Sequence, residues 1–226
     1  VHMDEPYNYE DGRPIKNANG KFSGICSFRE GIRSSINIIA VKTLTQITPQ
    51  LGFDYLQNLG FTTLVTDKVV GDEVFSDINQ SLALGGITNG VKNEELTSAY
   101  AGIANGGVYN EPILYTKITD HDGNVIIDKT ETQQSRRVIK ETTSFLLTNA
   151  MQDVVTSGTG ASVNFGNMSI AGKTGTTSDY VDVWFAGYTP YYTAATWAGY
   201  DNTLTATRLR TDQEKRLARN LWRIVM

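Results

Sequence analysis

The chain has 226 residues, 40% of them hydrophobic and 10% aromatic, enough for one large domain or two small ones. A net charge of −4 argues against nucleic acid as a partner, because phosphate binding wants a basic stripe. A single cysteine, Cys26, excludes an internal disulfide framework, and no apolar run reaches the roughly 18 residues of a membrane span.

Val1-His2-Met3 reads as a cloning remnant, and residues 4–25, rich in Asn, Gly, Tyr and charge, read as irregular chain. Ser27, with Glu30 three residues on, forms a capping box that opens a helix. Ser34-Ser35-Ile36-Asn37 interrupts it, and Ile38, Ile39, Val41, Leu44 and Ile47 then repeat at helical spacing. Pro49 opens another helix, carried by Leu51, Tyr55, Leu56 and Leu59 to Gly60. Residues 61–90 read mostly as loop, broken at Gly85-Gly86 and Asn89-Gly90. A helix is predicted over 93–104, with Leu96, Ala99, Tyr100 and Ile103 on one face, ending at Asn105-Gly106-Gly107. Residues 113–118 and 124–128 read as strands flanking a turn at His121. An amphipathic helix is predicted over 140–155, with Phe145, Leu146, Ala150, Met151 and Val154, running into a flexible loop at 156–160.

The last third changes character. Residues 168–176, 183–189 and 192–200 are strand-like, with a tight turn at Thr189-Pro190-Tyr191. Thr211 and Glu214 form a second capping box, opening a helix whose apolar stripe is Leu217, Leu221, Ile224 and Val225. Helices first and antiparallel strands later predict an α+β fold, with a mainly helical part over 27–160 and a sheet with a final helix over 168–226.

Histidine is informative by its scarcity. His2 lies in the N-terminal remnant and His121 in a turn, so a Ser-His-Asp triad and a His-built zinc site are both disfavoured. No cofactor or metal is expected. If the protein performs acyl transfer, lysine is the main candidate for the base. The strongest motif is Gly172-Lys173-Thr174-Gly175-Thr176-Thr177 on a strand. Glycine weakens a strand and often marks a place where a ligand or another backbone comes close. Beside it Lys173 offers positive charge, and Thr174, Thr176 and Thr177 offer hydroxyls; the strand edge suits an extended peptide carrying a carboxylate. The alternative is a solvated strand with turn glycines. A Walker A phosphate loop does not fit, since residue 167 is Asn where that motif needs glycine and the following sequence is not helical. The second motif is Ser35-Ile36-Asn37 between two helices, where a break would present a hydroxyl and an amide to one cleft. Its plainer reading is a serine cap followed by an Asn linker.

Together these motifs resemble the Ser-x-Asn and Lys-Thr-Gly pair of penicillin-binding proteins and class A β-lactamases. The resemblance is chain-long. Pro6-Tyr7-Asn8-Tyr9, Gly20-Lys21-Phe22-Ser23-Gly24 and the run from Phe28 to Lys42 are similar to bifunctional (class A) penicillin-binding proteins. So are Asn93-Glu94-Glu95-Leu96-Thr97-Ser98-Ala99-Tyr100, Ala104-Asn105-Gly106-Gly107 and Gly158-Thr159-Gly160. Asp182-Val183-Trp184-Phe185-Ala186-Gly187-Tyr188-Thr189-Pro190 and Trp197-Ala198-Gly199-Tyr200-Asp201 complete the match in the family's order. The resemblance implies a penicillin-binding protein/β-lactamase-like transpeptidase fold, an antiparallel sheet flanked by helices plus a helical subdomain, truncated at its N-terminal part. It implies catalytic roles for Ser35 (proton relay), Asn37 (hydrogen bond to the acyl donor) and Lys173 (positive charge). It implies substrate or β-lactam binding by Thr174, Gly175, Thr176 and Thr177, with the Thr176 N–H as an oxyanion donor.

One departure matters more than the matches. The family's nucleophile is a serine three residues before a lysine, and no serine of this chain has lysine at that position. The expectation is that the nucleophile precedes the sequence given. The parent would be a membrane-anchored, extracytoplasmic peptidoglycan D,D-transpeptidase acting on D-Ala-D-Ala stem peptides and inhibited by β-lactam antibiotics. The fragment itself would be soluble and would not acylate. A D,D-carboxypeptidase, a β-lactamase of the same fold, and a non-catalytic peptidoglycan- or partner-binding module are the competing readings. In the family fold the strand over 192–200 pairs with strands preceding the nucleophile, so self-association through an exposed sheet edge is expected.

Overall fold

The structure, a computed structural model, describes residues 1–200 and 207–226. Among them six α-helices form: α1 (Phe28–Ser34), α2 (Asn37–Ile47), α3 (Pro49–Asn58), α4 (Asn93–Ala104), α5 (Glu141–Ser157) and α6 (Leu217–Val225). The starts of α1 and α3 follow local chemistry. The Ser27 hydroxyl accepts from the Glu30 N–H at 3.1 Å, satisfying one of the orphan donors of α1. Pro49 occupies the first turn of α3, where its lack of an N–H costs nothing, and the Thr48 hydroxyl caps that helix from Leu51 N–H at 3.3 Å.

The sheet is antiparallel and has the order β1-β2-β3, with β1 (Ala171–Thr176), β2 (Asp182–Tyr188) and β3 (Thr193–Gly199). Lys173 lies opposite Ala186 and Thr176 opposite Val183. The turn at 189–192 closes β2 onto β3 through Thr189 N–H to the Tyr192 carbonyl at 2.9 Å. Successive residues of a strand face opposite sides, so Phe185 and Tyr188 point to opposite faces. Phe185 packs edge-on against Trp222 of α6, with ring centroids 5.0 Å apart and both side chains fully buried. Tyr188 joins Met151 of α5, with Tyr100 and Ile103 of α4 beside them. Helices therefore cover both faces, and burying each large aromatic contributes about 2–3 kcal/mol. This is the α+β architecture anticipated from the sequence.

Several local expectations are refined or corrected. Residues 4–25 are irregular over most of their length but hold two short ribbons: His2–Asp4 pairs with Gly24–Cys26, and Tyr7–Asn8 with Pro14–Ile15. The 61–90 segment holds a ribbon of Lys68–Val70 with Glu73–Phe75 and a 3₁₀ turn at Gln80–Leu84. Around His121 the first strand is Lys117–Thr119 rather than one starting at 113, paired with Val125–Asp128. Val108–Asn110 pairs with Ser135–Arg137. The second capping box forms, with the Glu214 carboxylate accepting from Thr211 N–H at 2.8 Å, but it opens a 3₁₀ turn, Glu214–Arg216, ahead of α6. The faces of three helices are also reassigned. In α6 the buried residues are Ala218 and Trp222, while Leu217, Leu221, Ile224 and Val225 are exposed. In α5 Phe145 and Leu146 are exposed, and in α3 Phe53, not Leu51 or Tyr55, enters the core. Asp201, the last residue of one matched segment, lies outside the described residues.

Candidate active site

The break between α1 and α2 is a helix terminus of the Schellman type. Ser35 adopts the left-handed conformation, φ 54°, ψ 49°, and the Ile36 N–H returns to the Gly31 carbonyl at 2.9 Å. Glycine usually fills this position, and a serine there costs on the order of 1 kcal/mol. The strain is held by close packing behind it: a Cβ on Gly31 would stand 2.6 Å from Ile39 Cγ2, so glycine lets α1 press onto α2. Held this way, the Ser35 hydroxyl leaves the helix and meets Lys173 of β1, whose Nζ donates to Ser35 Oγ at 2.7 Å.

Lys173 also donates to the Thr174 carbonyl at 3.1 Å. Burial lowers its pKa from the usual lysine value of 10.5 to about 8, since the charged form has given up water. Among the described residues no carboxylate forms an ion pair with it. Such a lysine exchanges its proton readily near neutral pH, and the hydroxyl it touches can pass that proton on. Thr174 Oγ1 meets Thr159 Oγ1 at 2.8 Å, joining β1 to the loop after α5.

Asn37 is the first residue of α2, two residues on from Ser35. Its Nδ2 donates to the Lys16 carbonyl at 2.8 Å, which orients the amide and leaves its oxygen available to a ligand. The Lys16 segment is itself pinned. Asn17 Oδ1 accepts from Ile38 N–H at 3.3 Å, and Asn17 Nδ2 donates to the buried Asp4 carboxylate at 2.8 Å. The N-terminal ribbons thus serve the site by orienting Asn37.

The motif residues of β1 divide. Thr174 faces the loop and Thr176 is exposed at the strand's end. Thr177 stands apart: its hydroxyl donates to the Asp182 carbonyl at 3.2 Å and accepts from Asp182 N–H at 2.9 Å, closing the turn into β2. The space a Cβ would need at Gly172 is filled by Phe185 Cζ at 2.7 Å, and at Gly175 by Trp184 Cβ at 3.1 Å. Packing within the sheet thus accounts for the Cβ side of both glycines. His121 is exposed, beside Asp122 in its own turn. No cluster of three or more His, Cys, Asp or Glu side chains among the described residues could hold a metal ion. Lys16, Asn17 and the Thr159 hydroxyl were not singled out by residue chemistry. Two of these act through backbone carbonyls or buried neighbours far away in sequence, which no local pattern marks.

Fold and pairings define the class: an α+β domain of the penicillin-binding protein and β-lactamase type, with a helix terminus and a Lys-Thr-Gly strand facing one another. The penicillin binding protein transpeptidase domain family matches residues 1–223, and the chain belongs to that family. It is 36% identical over 213 residues to penicillin-binding protein 1A of Clostridium botulinum, covering 92% of this chain and 24% of that protein. It is 37% identical over 207 residues to penicillin-binding protein 1F of Bacillus subtilis, covering 88% of this chain and 27% of that protein. The chain thus spans about a quarter of the length of these relatives, which are of the class A type. The structure of PonA1 from Mycobacterium tuberculosis superposes with a TM-score of 0.81 at 24% identity, covering 98% of this chain and 60% of that one. Penicillin-binding protein 1A from Haemophilus influenzae gives 0.77 at 21% identity, covering 99% and 38%. PonA1 has also been solved in complex with penicillin V, with a TM-score of 0.80 at 24% identity, covering 98% and 61%.

Proposed function

We propose that this chain forms one wall of the active site of a peptidoglycan D,D-transpeptidase, whose nucleophile is none of the chain's own serines. The carrying observation is the 2.7 Å contact from Lys173 Nζ to Ser35 Oγ. In the parent a serine would attack the penultimate D-Ala carbonyl of a stem peptide, giving up its proton to a nearby lysine. Ser35 and Lys173 would return a proton to the leaving D-Ala nitrogen, so that D-Ala departs as the amine and the acyl-enzyme remains. An amine of a second stem would then attack that ester, regenerating the serine. Asn37 would hold the donor peptide, and Thr174 and Thr176 its carboxylate, with Gly175 between them and Thr177 fixing the turn that follows the strand. The Thr176 N–H would be one oxyanion donor. β-Lactams would acylate the same serine. Relatives named penicillin-binding protein 1A and 1F support this reading, as does PonA1 in complex with penicillin V. The working surface would be the outer face of the cell membrane, with the anchor elsewhere in the parent; no helix of the described residues is long and apolar enough to cross a membrane.

The full-length protein should take up a labelled penicillin covalently, and Lys173→Ala should slow that acylation by at least a hundredfold, as expected for loss of a group that moves the proton. Unchanged acylation in that variant would sink the role given to Lys173. Product analysis with and without an amine acceptor separates cross-linking from carboxypeptidase activity.

A further inference from the structure

The loop Gly158-Thr159-Gly160 touches both halves of the site and is gripped from three sides. Its Thr159 N–H donates to the Arg33 carbonyl at 3.2 Å, just ahead of the strained Ser35. Its Thr159 hydroxyl meets Thr174 at 2.8 Å. From the third side Arg219, sixty residues away on α6, donates Nη1 to the Thr159 carbonyl at 3.1 Å and Nη2 to the Lys215 carbonyl at 3.4 Å. The glycines admit this grip. A Cβ on Gly158 would stand 2.3 Å from the Arg33 carbonyl oxygen, and one on Gly160 3.2 Å from both Phe185 and Val154.

Arg219 is partly buried, and among the described residues no carboxylate pairs with it. Burial and the neighbouring Arg216 both lower its pKa. A cation drawn partly out of water, with no carboxylate beside it, favours an anion nearby. This one stands behind the Thr159–Thr174 hydroxyl pair, so its field and its grip both act on the wall that would receive a carboxylate.

We propose that Arg219 is a positioning residue: by holding the Thr159 carbonyl it keeps the Thr159 hydroxyl on Thr174 and sets the site's preference for ligands that carry a carboxylate. This rests on the transpeptidase reading above. In the full-length protein the test compares acylation by benzylpenicillin with acylation by its methyl ester, which lacks the charge. Arg219→Ala should cut the preference for the free acid about tenfold, the worth of one charge-assisted hydrogen bond, with little change for the ester. Arg219→Lys should restore part of it. Thr159→Val should show the same loss, and the double variant no more than either single one. A destabilised fold alone would slow both ligands together, leaving the ratio unmoved. An unmodified protein that fails to acylate at all would overturn the transpeptidase reading. Normal acylation with an unaltered ratio in Arg219→Ala, or additive losses in the double variant, would overturn the positioning role alone. If Arg219→Ala does not fold, Thr159→Val decides, and an unaltered ratio there rejects the proposal.

Discussion

Lys173 allows a quantitative test that needs no ligand. Its pKa falls from 10.5 to about 8 on folding, through loss of water around the charge. The folded chain therefore binds fewer protons than the unfolded chain between those values, and stability rises with pH across that window. Below about pH 8 lysine is charged in both states and the penalty of burying it is fully present. Integrating the linkage from pH 7.5 to 9.5 gives a gain of about 2 kcal/mol, from a full span of about 3 kcal/mol at about 1.4 kcal/mol per pH unit. Lys173→Met removes the titration while keeping much of the side chain's bulk. It also removes donors to Ser35 and Thr174, but that loss shifts the stability difference by a constant and leaves its slope untouched. Urea denaturation of both forms across the pH range supplies the comparison. Tyrosines with raised pKa values, such as Tyr100 and Tyr188, contribute equally to both and cancel. The difference, unmodified minus variant, should climb by about 2 kcal/mol between pH 7.5 and 9.5. A flat or falling difference would refute the claim that burial governs this lysine.

Gly158→Ala should destabilise the chain by about 1–3 kcal/mol in the same assay, because its Cβ would collide with the Arg33 backbone carbonyl, which cannot swing aside. A cost below about 0.5 kcal/mol would mean that the loop is not gripped as described. Incubated with benzylpenicillin, this chain should show no mass increase, since none of its serines has a lysine three residues on; a shift by one β-lactam would contradict that. Sedimentation velocity should reveal concentration-dependent self-association. Both β3 as a sheet edge and the exposed Leu217, Leu221, Ile224 and Val225 stripe favour it, and a monomer at every concentration would argue against it.

Helices with strong local signals were legible almost to the residue. Asn93–Ala104 matches its prediction, and the Ser27–Glu30 box starts α1 as its chemistry requires. Both depend on contacts within four residues, which a sequence displays openly. The ribbons at His2–Asp4 and Lys68–Val70 were not legible, because three-residue strands are too short for alternation to stand out from noise. The face of α6 was misjudged for a different reason. Periodicity reveals that a helix has an apolar stripe but not which partner it meets, and here one tryptophan, with its Nε1 on the Ala194 carbonyl at 3.0 Å, fixes the inward side. At the site, the motif residues Ser35, Asn37 and Lys173 were visible as types. What orients them was not: the Asn37 amide rests on a backbone carbonyl at Lys16, and carbonyls carry no residue signature.

That contrast bears on how the site is built. Its two reactive-type groups are each held at a cost, Ser35 in a left-handed conformation and Lys173 with its charge drawn from water. The two costs together, about 1 and about 3 kcal/mol, exceed what their one mutual hydrogen bond returns, about 1–3 kcal/mol. The offset comes from surrounding packing: Gly31 against Ile39, the buried Asp4–Asn17 pair, and the aromatic contact of Phe185 with Trp222 beneath β2. Substitutions in that support should therefore disturb geometry and stability together. Replacing Lys173 with an apolar residue of similar length should remove its burial cost and leave the fold intact or firmer, whereas at Ser35 only glycine would relieve the backbone strain.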